Sequence, residues 1–156
     1  AEAQAQRITE FFISFESFSG FLFVLVVISL IPGIGEELLF RGLLQNKFKV
    51  IFSNIHVAIW VSAFLFSLMH MQFYGFVPRM LLGALFGYFY HWSGNLLVPV
   101  VAHILHNGIT LLIVYLYQLG VISIDIENTS ELNLIQILIS LVIGSILIFI
   151  LRKKAE

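Results

Sequence analysis

The sequence predicts an all-α membrane protein, a polytopic bundle of about five full transmembrane spans plus one amphipathic or partly inserted helix. Three observations carry that expectation. Hydrophobic residues make up 60% of the 156-residue chain and charged residues only 11%. Mean hydropathy is +1.00, far from the composition of a soluble domain, in which about a quarter of residues are charged. Apolar stretches close to the roughly 20 residues that a helix needs to cross a hydrocarbon core of about 30 Å recur along the chain. No repeat or soluble segment interrupts them, so residues 1–156 read as a single domain.

The first span is expected over about Phe11 to Ile31 and is stopped by "PGIG", where Pro32, Gly33 and Gly35 oppose helical continuity. Glu16 interrupts its early part and no small-residue cleavage site clearly follows, so it does not read as a signal peptide. A shorter, partly polar helix follows from Glu36 to about Phe52. Three further spans are expected over Ile55 to Met71, Phe76 to Trp92 and Leu96 to Leu119. An acidic loop, "DIENTSE", then leads to a last span from Leu134 to Leu151.

Smaller features fit this scheme. Pro99 lacks an N–H for the Asn95 carbonyl and is expected to kink the fifth span. Arg79, Gly83, Gly87 and His91 share a stripe whose GxxxG core favours helix contact, and Gln136, Ser140 and Gly144 form a similar stripe. His56 and His91 fall near span ends, where an aqueous interface satisfies them. Counting Arg7, Lys47, Lys49 and the terminal basic cluster as cytoplasmic places "PGIG" and the acidic loop outside, provided the short helix also crosses.

Whole functional classes drop out at this point. A net charge of −1 gives no footprint for a nucleic-acid partner, and the absence of cysteine removes disulfides, thiolate metal sites and a cysteine nucleophile. What remains is a small set of ionisable groups inside apolar helices, where charge is expensive and is kept for function or paired. Glu37 and Arg41 stand four apart with the acid first, the favourable order for a helical ion pair. Glu36 points about 100° away around the helix, so Arg41 cannot readily serve both acids. Glu36 is therefore the candidate for chemistry and Glu37 for structure.

Histidines supply a second half. "FSLMH" places Phe66 and His70 on one face at the end of its span, and "HILHN" places His103 and Asn107 on one face of the next but one. A zinc site built from His70, His103, His106 and the glutamates is the rival chemistry. It is less favoured, because neither HExxH nor HxxEH occurs and Asn107 would lose its obvious role.

The ordered series "EELLFR", "FSLMH" and "HILHN" resembles the EExxxR, FxxxH and HxxxN motifs of the CAAX protease and bacteriocin-processing family, the Abi-type intramembrane endopeptidases. The stretch "GALFGYFYHWSGNLLVPVVAH" is similar to the segment that precedes the third motif, and the likeness covers about residues 30–110. It implies a glutamate-type endopeptidase without a cofactor, in which Glu36 and His70 activate water and His103 and Asn107 stabilise the oxyanion. Glu37, Arg41 and Phe66 would support the site.

The implied partners are a membrane-associated peptide or protein substrate and the lipid bilayer, with the bacterial cytoplasmic membrane as the location. The chain is shorter than many members of that family, so a membrane partner is a candidate source of gating helices. A non-catalytic scaffold or immunity protein of the same fold is the alternative from a different class.

Overall fold

The computed structural model describes residues 17–71, 73 and 75–122. Among these, the chain is all helix: α1 (Phe18–Phe52), α2 (Ile55–Met69), α3 (Phe76–Ser93) and α4 (Leu97–Gln118). Helices α1 and α4 are long and apolar enough to cross a membrane, and α2 is a shorter apolar helix. The start of the expected first span, the acidic loop, the Gln136, Ser140 and Gly144 stripe and the span from Leu134 lie outside the described residues. The structure therefore supports an all-helical, membrane-like chain without fixing the count at about five.

The main correction concerns "PGIG". It does not divide two helices; it lies inside α1, which continues through it for 35 residues, a length of roughly 50 Å at the α-helical rise. Two segments of α1, Leu25–Leu30 and Leu38–Gln45, are wound as π-helix. In such a turn the hydrogen bond reaches five residues instead of four, and the helix widens. Pro32 lies two residues beyond the end of the first of these segments. The carbonyl that a regular helix would pair with residue 32 is that of Ile28, and it accepts instead from the Asn107 amide at 3.1 Å. A charge-based topology that needs two crossings between Arg7 and Lys47 loses its basis.

Gly33 is there for contact. A Cβ at this position would lie 2.5 Å from Ile104 Cγ1 and 3.2 Å from the Ile104 backbone nitrogen. Ser29, one turn earlier, donates from Oγ to the Ile104 carbonyl at 2.7 Å. Together they draw α1 and α4 close enough for backbone to meet side chain. Gly35 meets nothing within 4 Å and points away from this seam.

Helices α2 and α3 pack through Ile59, Ala63 and Ala84, with Gly83 set against Ala63 and Phe66 and Gly87 against Ile59. The GxxxG pair thus makes the expected helix contact. Pro99 removes no hydrogen bond from its helix. Because α4 begins at Leu97, Pro99 sits in the first turn, where N–H groups have no intrahelical partner. Asn95 starts that turn by accepting the Leu97 N–H at its side chain, 2.9 Å away. His56 lies in the first turn of α2 and bonds the Tyr88 hydroxyl at 3.0 Å, and His91 lies in the last turn of α3.

The two glycines of "PGIG" are therefore expected to respond in opposite ways. Gly33→Leu overpacks the α1–α4 seam, and a loss on the order of 1–3 kcal/mol is expected in detergent unfolding. Gly35→Ala adds a methyl to open space in a helix and is expected to be neutral or to stabilise by about 0.5–1 kcal/mol. Equal melting of both variants would remove Gly33 from the seam.

Candidate active site

The buried polar side of α1 is a ladder with a four-residue step: Ser29, Gly33, Glu37, Arg41 and Gln45, all buried. In a pure α-helix each such step drifts by about 40° around the axis, so five rungs would leave the face. The widened π turns undo that drift. The upper rungs, Ser29 and Gly33, meet Ile104 of α4. The lower rungs reach α3, where Arg41 Nη2 donates to the Gly83 carbonyl at 2.6 Å and Gln45 Nε2 to the Gly87 carbonyl at 3.1 Å.

Glu37 is the middle rung and joins the two halves. Its Oε1 accepts from Arg41 Nη1 at 2.7 Å and meets His103 Nδ1 at 2.8 Å, with the Glu37 side chain fully buried. The ion pair expected from the sequence is present. The second partner, His103, was not expected, since the sequence gives no way to count neighbours across helices. Phe66 and Phe86 close the node, with the Arg41 guanidinium 4.9 Å and 5.6 Å from their ring centres. Phe86 also stacks on His103, and Phe66 meets the edges of Phe40, His70 and His103.

One residue back, Glu36 turns to a different wall, as its 100° offset requires. Its Oε1 lies 3.8 Å from His70 Nε2 and its Oε2 lies 3.8 Å from His103 Nε2. Oε2 is buried without a protein hydrogen-bond partner and keeps acceptor capacity for a water or a bound group.

The tautomers follow from the second nitrogen of each ring. His70 Nδ1 faces the Phe66 carbonyl at 2.9 Å, and a carbonyl only accepts, so Nδ1 carries the proton. His103 Nδ1 faces the Glu37 carboxylate and is likewise the donor. When neutral, both imidazoles therefore turn unprotonated Nε2 atoms toward Glu36.

Glu36, His70, His103 and Asn107 line one cavity of about 740 Å³, together with Pro32, Phe66, Gly75, Arg79, His106 and Thr110. The four candidates thus come from α1, the end of α2 and α4, and they converge. Asn107 spends one amide hydrogen on Ile28; the second remains for the cavity. Gln45, Ser29 and Arg79 were missed in the sequence. The first two continue the four-residue step either side of Glu37 and Arg41, a signal that was legible. Arg79 sits in a stripe with Gly83 and Gly87 that reads as packing, yet it lines the cavity.

Comparison with known proteins identifies the family to which this region is similar. Residues 18–109, more than half of the chain, match the family described as "Type II CAAX prenyl endopeptidase Rce1-like". The uncharacterized protein YpbD of Bacillus subtilis (strain 168) is 28% identical over 89 residues, covering 54% of this chain and 42% of that protein. The chain thus spans less than half the length of that relative. No solved structure matches the chain.

Removing either end of the buried node is expected to be severe. Arg41→Ala leaves Glu37 with His103 alone, and Glu37→Gln strands Arg41 in an apolar setting. Each is expected to cost about 3–5 kcal/mol, the usual penalty for breaking a buried pair. Detergent thermal melts check this, and wild-type melting of both variants would show that the node does not hold the helices.

Proposed function

The chain belongs to the Rce1-like family of CAAX prenyl endopeptidases, and from that premise we propose that it is a glutamate-type intramembrane endopeptidase of a bacterial cytoplasmic membrane. Its substrate on this reading is a membrane-associated peptide or protein. The observation that carries the proposal is the position of Glu36 between two imidazole Nε2 atoms, each 3.8 Å from one of its oxygens. That gap suits a water held by a carboxylate and an imidazole.

In the proposed reaction, Glu36 and His70 hold the water and take its proton as its oxygen adds to the scissile carbonyl carbon. His70 is oriented for this by the Phe66 carbonyl. The carbonyl oxygen becomes an oxyanion beside His103 and Asn107. His103 donates there through Nε2 in its doubly protonated form, and the Glu37 carboxylate at Nδ1 supports the imidazolium. The free hydrogen of the Asn107 amide is the second donor. Collapse of the intermediate breaks the C–N bond, and the proton taken from water passes to the departing amine. A carboxylate and an imidazole suffice for this proton traffic, so no metal is assigned a step.

The decisive comparison is between the adjacent acids. Glu36→Gln keeps the shape and removes the base, and is expected to abolish most turnover with unchanged melting and substrate affinity. Asn107→Ala is expected to lower the single-turnover rate about 100-fold to 1,000-fold. Activity is expected to survive chelation of divalent metals. Normal cleavage by Glu36→Gln would overturn the assignment, loss of activity on chelation with recovery on zinc would favour the metal chemistry, and no cleavage of a peptide library by folded wild-type protein would favour a scaffold or immunity role.

A further inference from the structure

The ladder of α1 continues one step past the residues used above. Arg41 reaches the Gly83 carbonyl and Gln45 the Gly87 carbonyl, so the next rung, Lys49, comes level with the next residue of that α3 stripe, His91. Lys49 and His91 are within electrostatic reach of each other, and His56 at the start of α2 is within reach of His91 as well. All three are exposed. Where the earlier rungs bring a donor to a carbonyl, this one gathers basic groups from three helices.

No carboxylate among the described residues pairs with Lys49, His56 or His91, and the sequence has no acidic residue between Glu37 and Asp125. Helix C-termini favour a nearby cation, which accounts for Lys49 and His91 taken singly, since each stands in a last turn. It does not account for their approach to each other. An anion held between them turns that repulsion into attraction.

The surroundings are those of a membrane–water boundary. The Tyr88 hydroxyl bonds His56 Nδ1 at 3.0 Å, which leaves Nε2 for a further partner. Trp92 stacks on Tyr88 with ring centres 5.2 Å apart, and the Tyr90 hydroxyl meets the Asn46 amide at 3.2 Å. Tyr and Trp gather at headgroup level, and basic residues beside them attract anionic lipid. Val50, Ile51 and Phe52, directly after Lys49, are exposed and offer apolar surface to acyl chains.

We propose that Lys49, His56 and His91 form a binding site for the phosphate of an anionic phospholipid headgroup. The lipid is the occupant, because free phosphate leaves the apolar surface of Val50, Ile51 and Phe52 uncovered. A zwitterionic headgroup also brings a phosphate, but its ammonium is repelled by the same cluster. The site is independent of the proteolytic reading.

The chain has two tryptophans, so Trp60→Phe leaves Trp92 as the reporter beside the cluster. This protein is reconstituted into vesicles of phosphatidylcholine and phosphatidylglycerol in which one lipid or the other carries brominated acyl chains, and quenching of Trp92 gives the relative affinity. Phosphatidylglycerol is expected to bind about 5-fold to 25-fold more tightly, roughly 5-fold for each cationic group engaged. Lys49→Gln and His91→Gln are each expected to reduce the preference, and the double variant to bring it near one. Lys47→Gln is the control: it removes the same charge about 200° away around the helix and is expected to keep most of the preference. Inorganic phosphate in the buffer is expected to leave the preference intact.

Equal quenching by the two lipids, or a preference that survives the double variant, overturns the proposal. So does an equal effect of Lys47→Gln and Lys49→Gln, which is the mark of diffuse surface charge, or loss of the preference to inorganic phosphate. In phosphatidylcholine alone, Lys49→Gln is expected to melt at or above the parent protein, since a like-charge contact is relieved. Lower melting there shows a protein partner for Lys49 and also overturns the site.

Discussion

One carboxylate oxygen organises this protein. Glu37 Oε1 meets Arg41 at 2.7 Å and His103 at 2.8 Å, and through these two partners it ties α1 to α4 and, by way of the Gly83 carbonyl, to α3. A buried charge in an apolar bundle is tolerable only when its neighbours complete it. Here each neighbour has further contacts: Arg41 has Glu37, Gly83 and two aromatic faces, and His103 has Glu37 and the Phe86 ring, while Arg41 Nε and Glu37 Oε2 are buried without a protein hydrogen-bond partner. The position of the candidate catalytic imidazole is thus a by-product of the interaction that makes the helix interface possible.

The same economy explains α1. A proline and two glycines in four residues would normally end a helix, and here each of the three conflicts is handled separately. The widened turn before Pro32 and the Asn107 amide deal with the Ile28 carbonyl. Gly33 lets Ile104 approach. Gly35, with nothing near it, is tolerated on an open face. Asn107 consequently has a structural bond and a free hydrogen at once, which couples the packing of α1 on α4 to the orientation of a cavity donor.

Separation of the two acids is the functional counterpart. Adjacent residues on a helix cannot share a face, so the pair distributes itself between a sealed node and an accessible cavity. Glu37 is fully buried, and Glu36 is about a quarter exposed and faces His70 and His103. The Rce1-like match, over residues 18–109, includes both acids, both histidines and Asn107. It therefore bears on the region in which the candidate chemistry lies.

The sequence by itself determined the helical, membrane-like class, because composition and apolar run length are properties of the chain. It determined the Glu37–Arg41 pair as well, since four-residue spacing acts within one helix. Glu36, His70, His103 and Asn107 were legible as candidates from the order of their motifs. Only the tertiary structure decided that "PGIG" stays inside a helix, because a proline's effect depends on what receives the carbonyl it leaves behind, and that partner comes from residue 107. Likewise the second bond of Glu37, the reach of Gln45 to Gly87 and the turn of Arg79 toward the cavity are set by contacts between segments far apart in sequence. Periodicity places a residue on a face of its own helix; which helix, ligand or cavity that face meets is fixed only when the bundle closes.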